Sequence, residues 1–218
     1  MPNAYAPIIC LEGPSAVGKT TLGTRLAARY SAPLVDELDA TDAPPIGQSA
    51  EWFVDAHARR WQRARALRES APFAVMDCDP LKGLWYNWLH AEEGWERIDV
   101  LLPLYAAHLS AGTIGFPDLY LVLDADVDEL RVRRANAASR HRDGFERHMN
   151  KIAAQRRYFA ALQAADVARV VFVDTTDEAS LVDSVVCAVN DLPTRRTDQL
   201  WLLEHMTEWV WSHSPSES

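Results

Sequence analysis

The sequence predicts an α/β protein of three layers: a five-stranded parallel sheet with helices on both faces, and an extra helix toward the C-terminus. Three observations predict it. Five short apolar runs alternate with helical stretches, and parallel neighbours need crossover connections, which helices supply. Four of the five runs stop beside acidic residues or a glycine-rich loop, at the carboxyl ends where ligands collect in such sheets. With 218 residues, 48% of them hydrophobic, the chain can bury one core and is short for two complete domains.

Residues 8–11 form the first apolar run, ending at Glu12 and Gly13, and a helix is expected over 19–30 with Leu22 and Leu26 four apart. A brief run at 33–35 ends in Asp36 and Glu37, and residues 40–48, with Pro44, Pro45 and Gly47, read as a loop. An arginine-rich helix over 49–70 sets Trp52, Phe53, Ala56, Arg60, Ala64 and Leu67 along one face. The third strand, 73–76, stops at Asp77, Cys78, Asp79 and Pro80. A tryptophan-rich region through Trp95 then leads to a helix over 98–110. The clearest strand is 119–123, followed by Asp124, helical patterning from Val127, and a basic stretch from Arg131 to Arg147. One helix is expected over 145–164, the last strand over 170–173, and a helix over 178–189. Pro193 interrupts the chain before an apolar helix over 198–211. The organisation expected is one domain over 1–193 and a C-terminal helix and tail over 194–218.

Gly13, Pro14, Ser15, Ala16, Val17, Gly18, Lys19 and Thr20 match G-x-x-x-x-G-K-[ST], the Walker A pattern of the P-loop NTPase fold, between a strand and a helix as that motif requires. The glycines let successive N–H groups turn inward, and the loop opens into a helix N-terminus that favours phosphate. Ser15, Ala16, Val17 and Gly18 therefore form a cradle. Lys19 is expected on the β- and γ-phosphates, the Thr20 hydroxyl on magnesium, and Thr21 near the α-phosphate. The last strand runs into Asp174, Thr175, Thr176 and Asp177 rather than Asn-Lys-x-Asp, which favours ATP over a guanine nucleotide. Val35, Asp36 and Glu37 also fit an ATPase strand ending in Asp-Glu. Their place directly after the P-loop helix, the small chain, and the basic stretch after the fourth strand favour a kinase.

On these residues the layout resembles the thymidylate kinase and deoxynucleoside kinase group of P-loop kinases, over roughly residues 7–190. The resemblance is carried by the P-loop, by Asp36 and Glu37, by Pro117, Asp118, residues 119–123 and Asp124, and by a lid pattern of Arg134, Arg140, Arg142, Asp143 and Glu146. It implies a helical lid at about 131–148. Arg140 and Arg142 would stabilise charge on the transferred group, and Arg134 would close on the triphosphate. The alternative for each arginine is a solvated face with Asp143 and Glu146 as surface partners.

Transfer to a hydroxyl needs a carboxylate near the attacking oxygen, whereas transfer to a phosphate needs mainly positive charge. The group resembled commonly carries Asp-Arg or Glu-Arg after the third strand; this chain reads Asp77, Cys78, Asp79, Pro80. That departure tilts the expectation toward a hydroxyl acceptor. Asp77 is the first choice for holding magnesium or acting as base, with Glu37, Asp36 and Asp79 as rivals. Trp52, Trp61, Trp85, Tyr86 and Trp88 fall in segments expected to wall the acceptor pocket, and aromatic walls suit a flat ring. Trp52, His57 and Arg60 are the expected acceptor contacts; His141 and His148, flanking the lid, are given no chemistry.

The function expected is an ATP- and Mg2+-dependent transfer of the γ-phosphoryl group to a small molecule, a nucleoside or nucleotide first. The alternatives are a kinase for another alcohol, such as an antibiotic or specialised metabolite, and a nucleotide-dependent switch that binds a partner protein. Acidic residues outnumber basic ones by 31 to 22, which argues against a nucleic-acid polymer as partner. Cys10, Cys78 and Cys187 lack metal-ligand spacing, and no segment approaches ~18 uninterrupted apolar residues. A cytoplasmic protein without membrane contact is expected. The 198–211 helix would either cover the protein's own core or mate two copies in a homodimer.

Overall fold

The structure is a computed structural model that describes residues 6–37, 49–136, 145–165, 169–175, 178–192 and 198–216. In chain order the elements are β1 (Ile8–Glu12), α1 (Lys19–Tyr30), β2 (Leu34–Val35), α2 (Ala50–Leu67), β3 (Ala74–Asp77), α3 (Lys82–Leu89) and α4 (Ile98–Ser110). There follow β4 (Leu119–Asp124), α5 (Val127–Asn136), α6 (Phe145–Met149), α7 (Ile152–Ala164), β5 (Arg169–Asp174), α8 (Glu178–Asn190) and α9 (Gln199–Ser212). The sheet order is β2-β3-β1-β4-β5 and every neighbouring pair is parallel. The three-layer α/β fold expected from the alternation of apolar runs is the fold observed.

Side chains alternate across a strand, and β1, buried along its whole length, divides its residues between two cores. Ile8 and Cys10 join Trp61 of α2, Trp85 of α3, Tyr105 of α4, Tyr158 and Phe159 of α7, and Leu202 and Met206 of α9. Ile9 and Leu11 join Leu22 and Leu26 of α1, Leu130 of α5, Phe145 of α6, and Val185 of α8. Helix α9 thus completes one covering layer of the molecule's own core. Asp198 caps it by accepting from the Leu200 and Trp201 N–H groups, and Leu202, Leu203, Met206 and Val210 are buried, each contributing about 1.5–3 kcal/mol by leaving water.

Two helices differ from expectation. The helix expected over 145–164 is broken into α6 and α7. Phe145 and Met149 of α6 pack on one face of the sheet, while Tyr158 and Phe159 of α7 pack on the other, so the chain must turn between them, at Asn150 and Lys151. Helix α3 lies within the tryptophan-rich region that carried no helical reading. Gly83, Leu84, Trp85, Asn87, Trp88 and Leu89 are all buried, and a helix buried nearly all round has no amphipathic stripe to announce it. Gly83 is required there, because a Cβ would lie 2.7 Å from the Tyr105 hydroxyl. Among the described residues no helix is long and apolar enough to cross a membrane.

Candidate active site

β1 delivers the chain into the phosphate loop through Gly13, whose φ of +133° and close approach to β4 both exclude a side chain: a Cβ would lie 2.3 Å from the Leu123 carbonyl oxygen. Ala16 and Gly18 also have positive φ, 71° and 109°, and the non-glycine at Ala16 holds local strain. Gly18 starts α1 without a side-chain cap, leaving the first N–H groups of the helix for an anion. The Lys19 ammonium donates to the Gly13 carbonyl at 2.8 Å and to that of Pro14 at 3.2 Å. A cleft of about 410 Å³ lies over this loop, lined by Ser15, Ala16, Val17, Gly18, Lys19, Thr20 and Thr21, and closed by Arg25, Glu37, Asp77, Arg133, Thr175 and Leu181.

The register of the sheet sets Asp77 beside the loop, because Leu11 of β1 pairs with Asp77 of β3. The Thr20 hydroxyl donates to Asp77 Oδ2 at 3.0 Å. Asp77 Oδ1 is buried, and among the described residues no donor reaches it. Burial raises the Asp77 carboxyl above its ordinary range, opposed by Lys19 and by the Thr20 hydrogen bond. A buried, unbonded carboxylate oxygen next to a hydroxyl fits a divalent cation. Among the described residues no group of three or more His, Cys, Asp or Glu side chains could form an all-protein metal cage. Magnesium characteristically takes one or two protein ligands and completes its shell with phosphate and water, so the residues present fit that ion.

A second cavity, of about 300 Å³, lies on the other side of the loop, lined among others by Glu12, Lys82, Trp85, Tyr86, His148 and Gln155. It shares Ser15, Lys19 and Glu37 with the first. Glu37 Oε1 accepts from the Lys82 ammonium at 2.5 Å, and Lys82 holds the Glu37 carboxyl down at about 2. Deeper in, Glu12 Oε1 accepts from the Asp79 N–H at 2.7 Å, and Glu12 Oε2 faces the Gln155 amide at 3.5 Å. Burial pushes the Glu12 carboxyl up to about 7, against the pull of Lys82. Tyr86 forms one wall, with the Lys82 ammonium 5.0 Å from its ring centre and its hydroxyl 3.2 Å from His148 Nε2.

Solved structures share this architecture. Thymidylate kinase from Candida albicans aligns with 88% of this chain and 96% of its own, at a TM-score of 0.56 and 16% identity. Deoxyadenosine kinase from M. mycoides, with bound dATP, aligns with 85% of this chain and 100% of its own, at 0.57 and 12%. The same enzyme with the products dCMP and a flexible dCDP gives 0.58 and 12% over the same shares. The chain has the fold of these nucleoside and nucleotide kinases. No family profile and no curated protein sequence matches it.

Within this kinase fold, Lys19, Thr20, Asp77 and Glu37 come together at the loop, as do Gly13, Ser15, Ala16, Val17, Gly18 and Thr21. Arg140, Arg142, His141 and Asp143 lie outside the described residues. Arg134 lines neither cavity: its guanidinium stacks 4.6 Å over the Phe145 ring and stands 3.8 Å from Glu146. Its neighbour Arg133 lines the first cleft together with Arg25; Arg133 donates to the Val17 carbonyl at 3.0 Å and the Thr175 hydroxyl at 2.9 Å, and is steadied by Glu129 one turn back. The Glu129–Arg133 spacing of four on a helix was a signal that could have singled it out.

The expected acceptor contacts on α2 have another role. Arg60 is buried and donates to the main-chain carbonyls of Asp36, Asp77 and Cys78, binding the ends of β2 and β3 together, while its other terminal nitrogen meets His57 Nδ1 at 3.1 Å. Trp52, Trp61 and Trp88 line neither cavity; of the aromatic residues expected there, Trp85 and Tyr86 do. Asp79 is a structural carboxylate: it accepts from the Leu81 N–H, the Tyr120 hydroxyl and the Trp85 indole. The side chains of Asp36 and Asp124 also stay out of both cavities, and Asp124 pairs with Arg156. Lys82, Lys151, Gln155 and the His148 left without chemistry are among the cavity residues that sequence reasoning missed, while Glu12 was expected there only as the acidic end of the first strand. The missed residues share no motif, because they lie on α3, on α6, on α7 and in the turn between the last two.

Proposed function

We propose that this protein is an ATP- and magnesium-dependent phosphotransferase that moves the γ-phosphoryl group to a nucleoside or nucleotide. The observation that carries this reading is the junction of two cavities at Ser15, Lys19 and Glu37. A loop built for phosphate opens on one side to a cleft and on the other to a pocket walled by Trp85 and Tyr86, so donor and acceptor can meet at one lysine. The solved kinases of the same fold act on nucleosides and nucleotides by name, which supports that acceptor class here.

The donor phosphates would lie on the N–H groups of the loop, with Lys19 leaving its carbonyl partners to follow the transferred group. Thr20 and Asp77 would hold magnesium, which when bound would neutralise charge on the leaving group. Arg133 lines the donor cleft, and Arg140 and Arg142 of the lid would add charge over the transferred group. Glu37, ionised at any physiological pH, would accept the hydrogen bond of an acceptor hydroxyl. Closing the lid would keep water from taking the phosphoryl group.

The test is to supply magnesium and ATP labelled on the γ-phosphate, with nucleosides, nucleoside monophosphates and neutral alcohols in parallel, and to follow the label. Label on a nucleoside or monophosphate is the expected result. Label on another alcohol would keep the chemistry and replace the acceptor, and label in free phosphate alone would reject the kinase reading in favour of a switch.

A further inference from the structure

Lys82 opens α3 just beyond the end of β3 and is 22% exposed, with Glu37 51% exposed opposite it. An ion pair so open to solvent contributes little to stability, yet this one stands where the two cavities share a wall. Lys19 is engaged with the loop carbonyls, and Arg60 with main-chain carbonyls beneath the strands. The third strand lacks an arginine, and the charge at its end comes instead from the first turn of the next helix.

We propose that Lys82 is the positioning residue for Glu37, fixing its carboxylate at the junction, charged and turned toward the acceptor hydroxyl. This rests on the phosphotransferase reading above. In the transfer, the acceptor oxygen forms a bond to the γ-phosphorus as the bond from that phosphorus to the bridging oxygen breaks. ADP leaves with the electron pair, and the hydroxyl proton passes to Glu37 and then to water. In a loose transition state the proton departs late, so a weakly basic carboxylate suffices provided that it is ionised and held in place.

The groups facing Glu37 from the surrounding elements are Lys82 on α3, Lys19 on α1, Arg60 and His57 on α2, Asp77 on β3, and Cys78 just after β3. Lys82 lowers the Glu37 carboxyl most, burial opposes it, and Lys19 and Arg60 assist. Removing Lys82 takes away the largest lowering influence, so the carboxyl must climb from about 2 back toward its ordinary 4.5. The protonated, inactive form of Glu37 then appears on the acid side of the pH profile.

Two readouts test this on the full chain. The first is the carbon-13 titration of the Glu37 carboxyl, assigned by its loss in Glu37→Gln. Lys82→Met should raise its midpoint by about 1–3 pH units, and Lys82→Arg should keep it low. The second is the pH–rate profile: Lys82→Met should lose about a hundredfold in kcat and gain an acid limb, with Lys82→Arg recovering the flat acid side. An unmoved Glu37 titration in a Lys82→Met variant that melts like the wild type overturns the proposal, as does a profile of unchanged shape. If the wild type labels no acceptor, the phosphotransferase reading fails, and the titration still decides whether Lys82 governs Glu37.

Discussion

The cleft proposed for the donor and the cavity proposed for the acceptor meet at one lysine but draw on the chain in different ways. The floor of the donor cleft comes from a single stretch, residues 15–22, with Asp77 delivered by the register of β1 and β3, and Arg133, Thr175 and Leu181 close it from farther along the chain. The acceptor side is gathered from Glu12 at the end of β1, Glu37 after β2, Lys82 and Tyr86 on α3, His148 on α6 and Gln155 on α7. A site made from one loop keeps its chemistry wherever the loop is kept. A site made from many elements can change its ligand one residue at a time, as expected where one fold serves many acceptors.

The largest effect should come from Lys19→Ala, which removes the positive charge common to both sides: transfer should fall by at least about a thousandfold in a variant that still melts cooperatively. Normal transfer would take Lys19 out of the chemistry and dissolve the comparison. Next in size is Asp77→Asn, which should lose about a hundredfold, ~3 kcal/mol, and need more magnesium for half-maximal rate. Chelation of magnesium should stop the wild type. If Asp77→Asn keeps full turnover and its magnesium requirement, Asp77 is not a metal ligand.

Gln155→Ala separates the two sides more finely. Gln155 is 7% exposed and lines only the acceptor cavity, so the acceptor KM should rise about tenfold, the scale of one lost hydrogen bond, while the KM for ATP stays constant. A change confined to ATP would join the two regions into one site. The smallest effect concerns stability. Glu12, 3% exposed, has its carboxyl raised from 4.5 to about 7, so the folded state holds a proton that the unfolded chain has released. Stability must therefore fall as pH rises from 4.5 to 7, by up to about 3 kcal/mol. Asp79, raised to about 6 by burial, adds a slope of the same sign. In Glu12→Gln, with the Gln155 amide turned over, that part of the slope should vanish and the melting temperature at pH 8 should rise by roughly 5 °C. An unchanged slope would place Glu12 in contact with water.

The same division governs what the sequence reveals. The phosphate loop is legible because backbone geometry restricts it: Gly13 meets the Leu123 carbonyl and Gly18 needs positive φ, so the glycines cannot vary. The strands are legible because the sheet is covered on both faces and its residues must be apolar without interruption. Arg133 was hidden beside Arg134, since a choice between adjacent helical positions depends on a rotation of about 100°, for which the Glu129 spacing was the one local sign. The break between α6 and α7 follows from the need to change faces of the sheet, which no local preference records. Lys82 carries no signature at all; its role exists only because α3 begins opposite Glu37.

The phosphate loop is fastened from outside at both ends, Gly13 against the backbone of β4 and the Val17 carbonyl by Arg133, which also holds Thr175 beyond β5. A glycine-rich segment normally gives up conformational freedom when it wraps an anion. Here that freedom is surrendered when the sheet assembles, so a nucleotide meets a receptor already shaped. Its capture should then be governed by encounter, with an observed rate rising linearly with nucleotide concentration and no slower phase of loop rearrangement behind it.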